Sequence, residues 1–377
     1  MSKHPVVVYA ASGYTGKLTC ESLMAQGIAF TAAGRNQERL DAVVKVWQGQ
    51  GATCDAQAIN HDVDSLTELF TGSKVVINIS GPFSALGEDV VEASFRAGCH
   101  YVDSTGEQDF MLDIDDKYSA KFEEANLCLM PSCSFLWAPG TCAAEIALET
   151  PGIDSVKIFY APPNLQTVAS LQSMIRTSMR DNFVIADGKM ETMALDIRKI
   201  LVPGLNEMRS AVPVGAGEAS FFRHDSRVKN CETLFTSDDL AKAIPFMKVG
   251  TLASKLVPQK HVDRVTDKLV LLVKKDPPAE DPANSRYVAG CIAEGNSARA
   301  KVIIYGVSPY ATTGFLCADA AERILKGEAK RYGFASMAQA FGARNVLDGM
   351  GRFGAQYEVE SSAELNDQSL NARKSLA

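Results

Sequence analysis

The chain contains no Cys-x-x-Cys pair, although it carries nine cysteines: Cys20, Cys54, Cys99, Cys128, Cys133, Cys142, Cys231, Cys291 and Cys317. An odd number at irregular spacing reads as reduced thiols, not as a disulfide framework. Tetrahedral zinc needs closely spaced cysteine and histidine ligands; none occur, so no metal site is expected. Apolar runs never approach ~18 residues, which gives a membrane span no support. The opening Met1-Ser2-Lys3-His4-Pro5 lacks the long apolar stretch of a secretion signal. Positive charge is not in excess: 38 Lys and Arg against 45 Asp and Glu leave a net charge of −7. Such a chain has no general attraction for nucleic-acid phosphates or anionic lipid. Gly-x-Ser-x-Gly is absent, so hydrolysis from a nucleophile elbow has no local support. The Tyr-x-x-x-Lys pair of simple short-chain alcohol dehydrogenases is missing after the fourth expected strand. The expectation is a soluble, cytoplasmic protein that binds no nucleic acid.

What the chain does have is a regular rhythm. Its 377 residues suggest two or three domains. Short β-branched runs at 5–10, 30–34, 56–59, 74–79, 100–103 and 127–130 alternate with helical patterns at 16–26, 37–48, 65–70, 88–97 and 113–125. This order predicts a Rossmann-type, doubly wound parallel sheet, an α/β fold. The rhythm changes near Pro131. Helices are expected at 141–148, 167–180, 191–200 and 312–325. Strands are expected at 154–161, 219–223, 268–274, 286–293 and 298–305, the last two joined as a hairpin. Helices mixed with hairpins predict an α+β domain with a mixed or antiparallel sheet. From Ser361 a polar tail is expected.

The segment Ala10-Ala11-Ser12-Gly13-Tyr14-Thr15-Gly16 lies between the first strand and the first helix. Small residues there let backbone approach a pyrophosphate, and the helix N-terminus offers free N–H groups. Gly13 suits close approach to the ligand, and Gly16 suits tight helix–strand packing. Arg35 stands 19 residues after Gly16, at the end of the second strand. An acidic residue near this point would favour NAD; an arginine accommodates the 2′-phosphate of NADP. Asn36 is placed to add a donor. Asp62, after the third strand, is either an acceptor for the adenine amino group or the cap of the next helix. Ser80, Gly81, Pro82 and Phe83 turn sharply at the end of the fourth strand, where ligands bind in open α/β sheets. Phe83 is a candidate to pack on the nicotinamide.

These residues resemble the NADP-binding half of the saccharopine dehydrogenase-like oxidoreductase superfamily, in its saccharopine dehydrogenase-like and trans-acting enoyl reductase branch. The resemblance rests on Tyr14-Thr15-Gly16, Ala33-Gly34-Arg35-Asn36, Ser80-Gly81-Pro82-Phe83 and Tyr101-Val102-Asp103-Ser104-Thr105-Gly106-Glu107, and covers the first third of the chain. Ala10 stands where the family commonly has its first glycine, and alanine fits there only with a negative φ. The resemblance implies NADP(H) as cofactor and adds Asp103 and Thr105 to the residues around it. It also implies a discontinuous cofactor domain, 1–130 with about 310–355, an inserted substrate and dimerisation domain at 131–309, and a homodimer.

In such an enzyme the cofactor carries the hydride, and the protein positions the acceptor and supplies a proton. The acid–base candidates are Glu107, His224 and Tyr305. Phe135, Leu136, Trp137, Met174 and Phe246 are candidates to line an apolar pocket, with core packing as the commoner role for such residues. The leading expectation is an NADPH-dependent reductase of a C=C (enoyl) or C=O bond in a mainly apolar small molecule or acyl substrate. An opine-type dehydrogenase acting on an imine would instead need carboxylate-binding arginines, for which Arg176, Arg180 and Arg223 are the set. A sensor that binds NADP without turnover is a third possibility.

Overall fold

The computed structural model describes residues 4–163, 180–236 and 285–362. Its first half alternates β1 (Val6–Tyr9), α1 (Tyr14–Ala25), β2 (Phe30–Gly34), α2 (Gln37–Gly49), β3 (Cys54–Ala58), α3 (Val63–Phe70), β4 (Val75–Asn78), α4 (Phe83–Arg96), β5 (His100–Asp103), α5 (Gln108–Glu124) and β6 (Cys128–Met130). β1 and β4 are buried along their whole length, as apolar runs covered on both faces require. The chain continues through α6 (Ala138–Ala147), β7 (Ser155–Ala161), β8 (Phe183–Ala186), β9 (Lys189–Thr192), β10 (Arg198–Val202), β11 (Glu207–Pro213), a helix at Gly217–Phe222 and β12 (Asn230–Thr236). It closes with β13 (Arg286–Glu294), β14 (Arg299–Val307), a helix at Pro309–Leu325, β15 (Gly333–Phe334), helices at Met337–Phe341 and Ala343–Gly351, and β16 (Gln356–Ser361).

Seven strands form a parallel sheet in the order β15-β6-β5-β4-β1-β2-β3. The order reverses direction at the β1/β4 pair, the point where open α/β sheets bind ligands. The second sheet runs β10-β11-β12-β7-β13-β14-β16, with the β8–β9 hairpin attached to β12. Among the described residues only β12 and β7 pair in parallel there; the other pairs are antiparallel. The expected α/β fold with a second, mixed sheet is thus present. One hydrophobic core runs continuously between the two sheets, with α6 at its centre.

The last part of the chain serves both sheets. The helix Pro309–Leu325 packs backbone to backbone on α1: a Cβ on Gly314 would lie 2.6 Å from the Leu18 carbonyl carbon. β15 then adds to β6 in the first sheet, and β16 adds to β14 in the second.

Three local expectations are corrected. Residues 191–200 are not a helix; they end β9 and begin β10, recruited by antiparallel partners β8 and β11. Residues 219–223 are not a strand but the end of the helix Gly217–Phe222, every residue of which is buried. A short run buried on all sides carries no period with which to tell helix from strand. Ala10 has φ +67°, not the negative value expected of alanine. The expected strand at 268–274, most of the helix at 167–180, Arg176, Met174, Phe246 and the tail beyond residue 362 lie outside the described residues.

Candidate cofactor and active site

The loop between β1 and α1 is built for close approach. A Cβ on Gly16 would fall 2.4 Å from the Ala10 carbonyl oxygen and 2.9 Å from Ala11 backbone atoms. Only glycine lets the helix meet the strand there. Gly13 caps α1 without a side-chain hydrogen bond, and the first turn of α1 holds no acidic residue. Gly13 is exposed, while Ala11 is buried beneath it, and Ser12, Tyr14 and Thr15 are partly exposed. The N-terminal N–H groups and the positive end of α1 therefore face outward without a competing carboxylate, which suits a pyrophosphate.

Arg35 is exposed at the end of β2, and among the described residues it has no ion-pair partner. It stands close enough to Tyr9 that its charge opposes the rise that burial gives the Tyr9 phenol pKa. The Tyr9 hydroxyl lies 2.9 Å from Nδ1 of His61, and the two rings stack. Asn36 caps α2 by accepting the Arg39 N–H at 2.9 Å. Asp62 caps α3, accepting from the Ser65 N–H at 2.9 Å and its hydroxyl at 2.8 Å. Those bonds hold its carboxyl below the usual range.

Behind the ends of β4, β5 and β6 lies a buried polar network. Asn78 accepts the Ser80 N–H at 2.9 Å and hydroxyl at 2.5 Å, and donates to the Tyr101 oxygen at 3.0 Å. Tyr101 donates to Asp103 at 2.8 Å. The other Asp103 oxygen accepts the N–H of Thr105 at 2.9 Å and of Ser132 at 2.7 Å. Thr105 in turn accepts the Glu107 N–H at 3.0 Å. Asp103 and Thr105 are fully buried, so they shape the turns beneath a ligand. Burial pushes the Asp103 carboxyl up to about 7, against the lowering effect of its donors.

The turn at Ser80–Phe83 is fixed from below. Glu107 accepts the N–H of Phe83 at 3.0 Å and of Ser84 at 2.9 Å, one on each oxygen, and so closes the N-terminus of α4. Gly81 and Pro82 remain at the surface, whereas the Phe83 ring is buried against Phe110. The loop after β6 carries Phe135 and Trp137, both buried edge-on against Tyr160. The Tyr160 hydroxyl accepts the Gly140 N–H at 2.9 Å and donates to Glu218 at 2.7 Å. Glu218 is fully buried, and burial raises its carboxyl to about 8.

The structure thus gathers Ala11, Ser12, Gly13, Tyr14, Thr15, Gly16, Arg35, Asn36 and Asp62 at the ends of β1–β3. It gathers Ser80, Gly81, Pro82, Phe83, Asp103, Thr105 and Glu107 at the ends of β4–β6. Two residues fall elsewhere. His224 is largely in solvent, 3.9 Å from Asp115 and about 10 Å along α5 from its start. Tyr305 belongs to a small cluster with Phe159, Val288 and Ile303, while its neighbours Val302 and Ile304 enter the main core. It therefore lies on the face of the second sheet turned away from the first. Sequence reading passed over Asn78 and Glu218. Asn78, a polar end to an otherwise apolar strand, was the available signal; Glu218 had none, because its partners are distant in sequence.

A model of the saccharopine dehydrogenase NADP binding domain matches residues 6–126, the part that holds these strand ends. The first third of the chain is therefore an NADP-binding Rossmann domain of the saccharopine dehydrogenase type, and its cofactor is NADP(H). The model of a family of unknown function, DUF5938, matches residues 138–360, more than half of the chain, and the protein belongs to that family. A lipid droplet localized protein of Caenorhabditis elegans is 33% identical over 144 residues, 36% of this chain and 34% of that protein. A putative trans-acting enoyl reductase of Mycobacterium tuberculosis is 30% identical over 189 residues, 47% of this chain and 45% of that protein. The matched stretches thus span a third to a half of these curated relatives. Apo saccharopine dehydrogenase (L-Glu forming) from Saccharomyces cerevisiae aligns over 95% of this chain and 99% of its own, with a TM-score of 0.61 and 14% identity. That likeness shows a shared fold.

Proposed function

We propose that the protein is an NADPH-dependent reductase of a C=C (enoyl) or C=O bond in a mainly apolar small molecule or acyl substrate. One observation carries this choice over imine reduction. The described arginines that a carboxylate-bearing substrate would need are already engaged: Arg223 with Asp115 at 2.6 Å and Asp116 at 2.5 Å, and Arg180 with Asp109. The loop after β6 is apolar instead, with Phe135 and Trp137 buried and Leu136 half-buried. The enoyl reductase relative supports the C=C form of the reading.

NADPH supplies a hydride when bound. The protein's part is to hold the phosphates at Gly13–Gly16, read the 2′-phosphate with Arg35, and keep the turn at Ser80–Phe83 rigid through Glu107. Glu107 acts in this reading as an anchor, since each of its oxygens accepts a backbone N–H. We further propose that 1–130 with about 310–355 is the cofactor domain and 131–309 the substrate domain. A homodimer would form through the second sheet, whose edge exposes Leu201 and Met208. Nine buried free cysteines suit a cytoplasmic, reducing location. Among the described residues no helix is long and apolar enough to cross a membrane.

The test is NADPH oxidation against enoyl thioesters and enones, ketones, and 2-oxoacid/amine pairs. Turnover with the first two classes is expected. Turnover only with 2-oxoacid/amine pairs would make the protein an imine reductase, and NADPH binding without turnover on any class would make it a sensor.

A further inference from the structure

The first turn of α5 places three consecutive side chains on three different parts of the molecule. Glu107 holds the turn after β4, as described. Gln108, which is 1% exposed, crosses to the second sheet. Its Nε2 donates to the carbonyls of Phe183 and Ala216, both at 2.9 Å, and its Oε1 accepts the Phe183 N–H at 2.7 Å. Asp109 pairs with Arg180. Both N–H groups and the carbonyl of one amide are thus spent on backbone 75 and 108 residues away.

The residues at the far end are informative. Phe183 opens β8, and Ala216 caps the helix that carries Glu218. Among the described residues the β8–β9 hairpin shares one register pair with the rest of its sheet, Cys231 with Ile185, and its turn is tied to the start of β12 by the Gly188 N–H on the Lys229 carbonyl at 2.8 Å and the Asp187 N–H on Asn230 Oδ1 at 3.2 Å. A short hairpin with so little ladder is a low-stability element, and a buried side-chain clasp weighs heavily on its position. Glu107 and Gln108 are adjacent residues at one helix end, so displacement of one carries the other.

The geometry points to Gln108 as a positioning residue: it transmits occupancy of the cofactor site from the turn at 80–84 to the β8–β9 hairpin and the Glu218 helix. Cofactor contacts on the exposed side of the turn tighten the hold that Glu107 already has on it, and with it the first turn of α5. Gln108 then seats the second sheet. This rests on NADP(H) binding at the ends of β1–β6.

Hydrogen exchange on the full chain, with and without NADPH, tests it. NADPH is expected to slow exchange at least about fivefold both at 80–86 and at 183–192. Gln108→Ala should keep the effect at 80–86 and an NADPH Kd within about threefold of wild type, yet lose the effect at 183–192. Gln108→Met, of similar length but without the amide, should behave alike. Protection at 80–86 of the wild type with none at 183–192 would overturn the coupling without any variant. So would hairpin protection that survives either substitution. Absence of protection at both 80–86 and the Gly13 loop would instead overturn the cofactor reading beneath it.

Discussion

Two fully buried carboxyl groups each receive a tyrosine hydroxyl, one in each half of the molecule. Asp103 takes Tyr101 at 2.8 Å, and Glu218 takes Tyr160 at 2.7 Å. They differ in what else they hold. Asp103 also accepts two backbone N–H groups, from the loops after β5 and β6, and its pKa rises to about 7. Glu218 has beyond Tyr160 a long contact from the Thr233 hydroxyl at 3.3 Å, and its pKa rises to about 8. Burial dominates both. The backbone donors around Asp103 make it an organiser of the loops at the cofactor site. Glu218 closes a tight core in which a Cβ on Gly140 would lie 2.4 Å from its oxygen.

The comparison can be broken most sharply at Asp103. Asp103→Ala strands the Thr105 and Ser132 N–H groups and the Tyr101 hydroxyl. We expect a loss of roughly 3–5 kcal/mol in denaturant unfolding and weaker NADPH binding. Glu218→Gln should separate the two by pH. The protonated form of Glu218 is favoured in the fold, so the stability this residue contributes is fully present only below the ordinary glutamate range. It should fall as pH rises from the ordinary glutamate range through about 8, at up to ~1.4 kcal/mol per unit. The Gln variant should lose that slope while retaining NADPH affinity; an unchanged slope would remove Glu218 from the account. Arg35→Asp acts only on the cofactor half. It should cost NADPH at least about tenfold relative to NADH, or ~1.4 kcal/mol, with unfolding unchanged. The smallest effect belongs to Ala10→Gly, which relieves a left-handed alanine and should add about 1 kcal/mol of stability.

Much of the first sheet was legible because it obeys period and punctuation: β-branched runs, small residues at the β1–α1 turn, and arginine at the end of β2. The second half was less so. The parity of β14, which sends Tyr305 outward and Ile304 inward, is invisible without knowing which face is covered. Gln108 looks like any polar residue of a first helical turn until residues 75 and 108 positions away are brought to it. β16 did carry a signal. Gln356-Tyr357-Glu358-Val359-Glu360-Ser361 alternates strictly, with its charges on the open side, as a protected edge strand should. Its polar composition made it resemble the tail that follows.

The shared use of the chain's last third constrains how the molecule can be made. The cofactor sheet waits for its outer strand, β15, and for the helix that rests on α1 until more than 330 residues have left the ribosome. Until then one flank of the phosphate-binding helix lacks its partner. A fragment ending near residue 130 should therefore be the aggregation-prone form of this protein, and a protease that nicks between the sheets would not free a working cofactor domain.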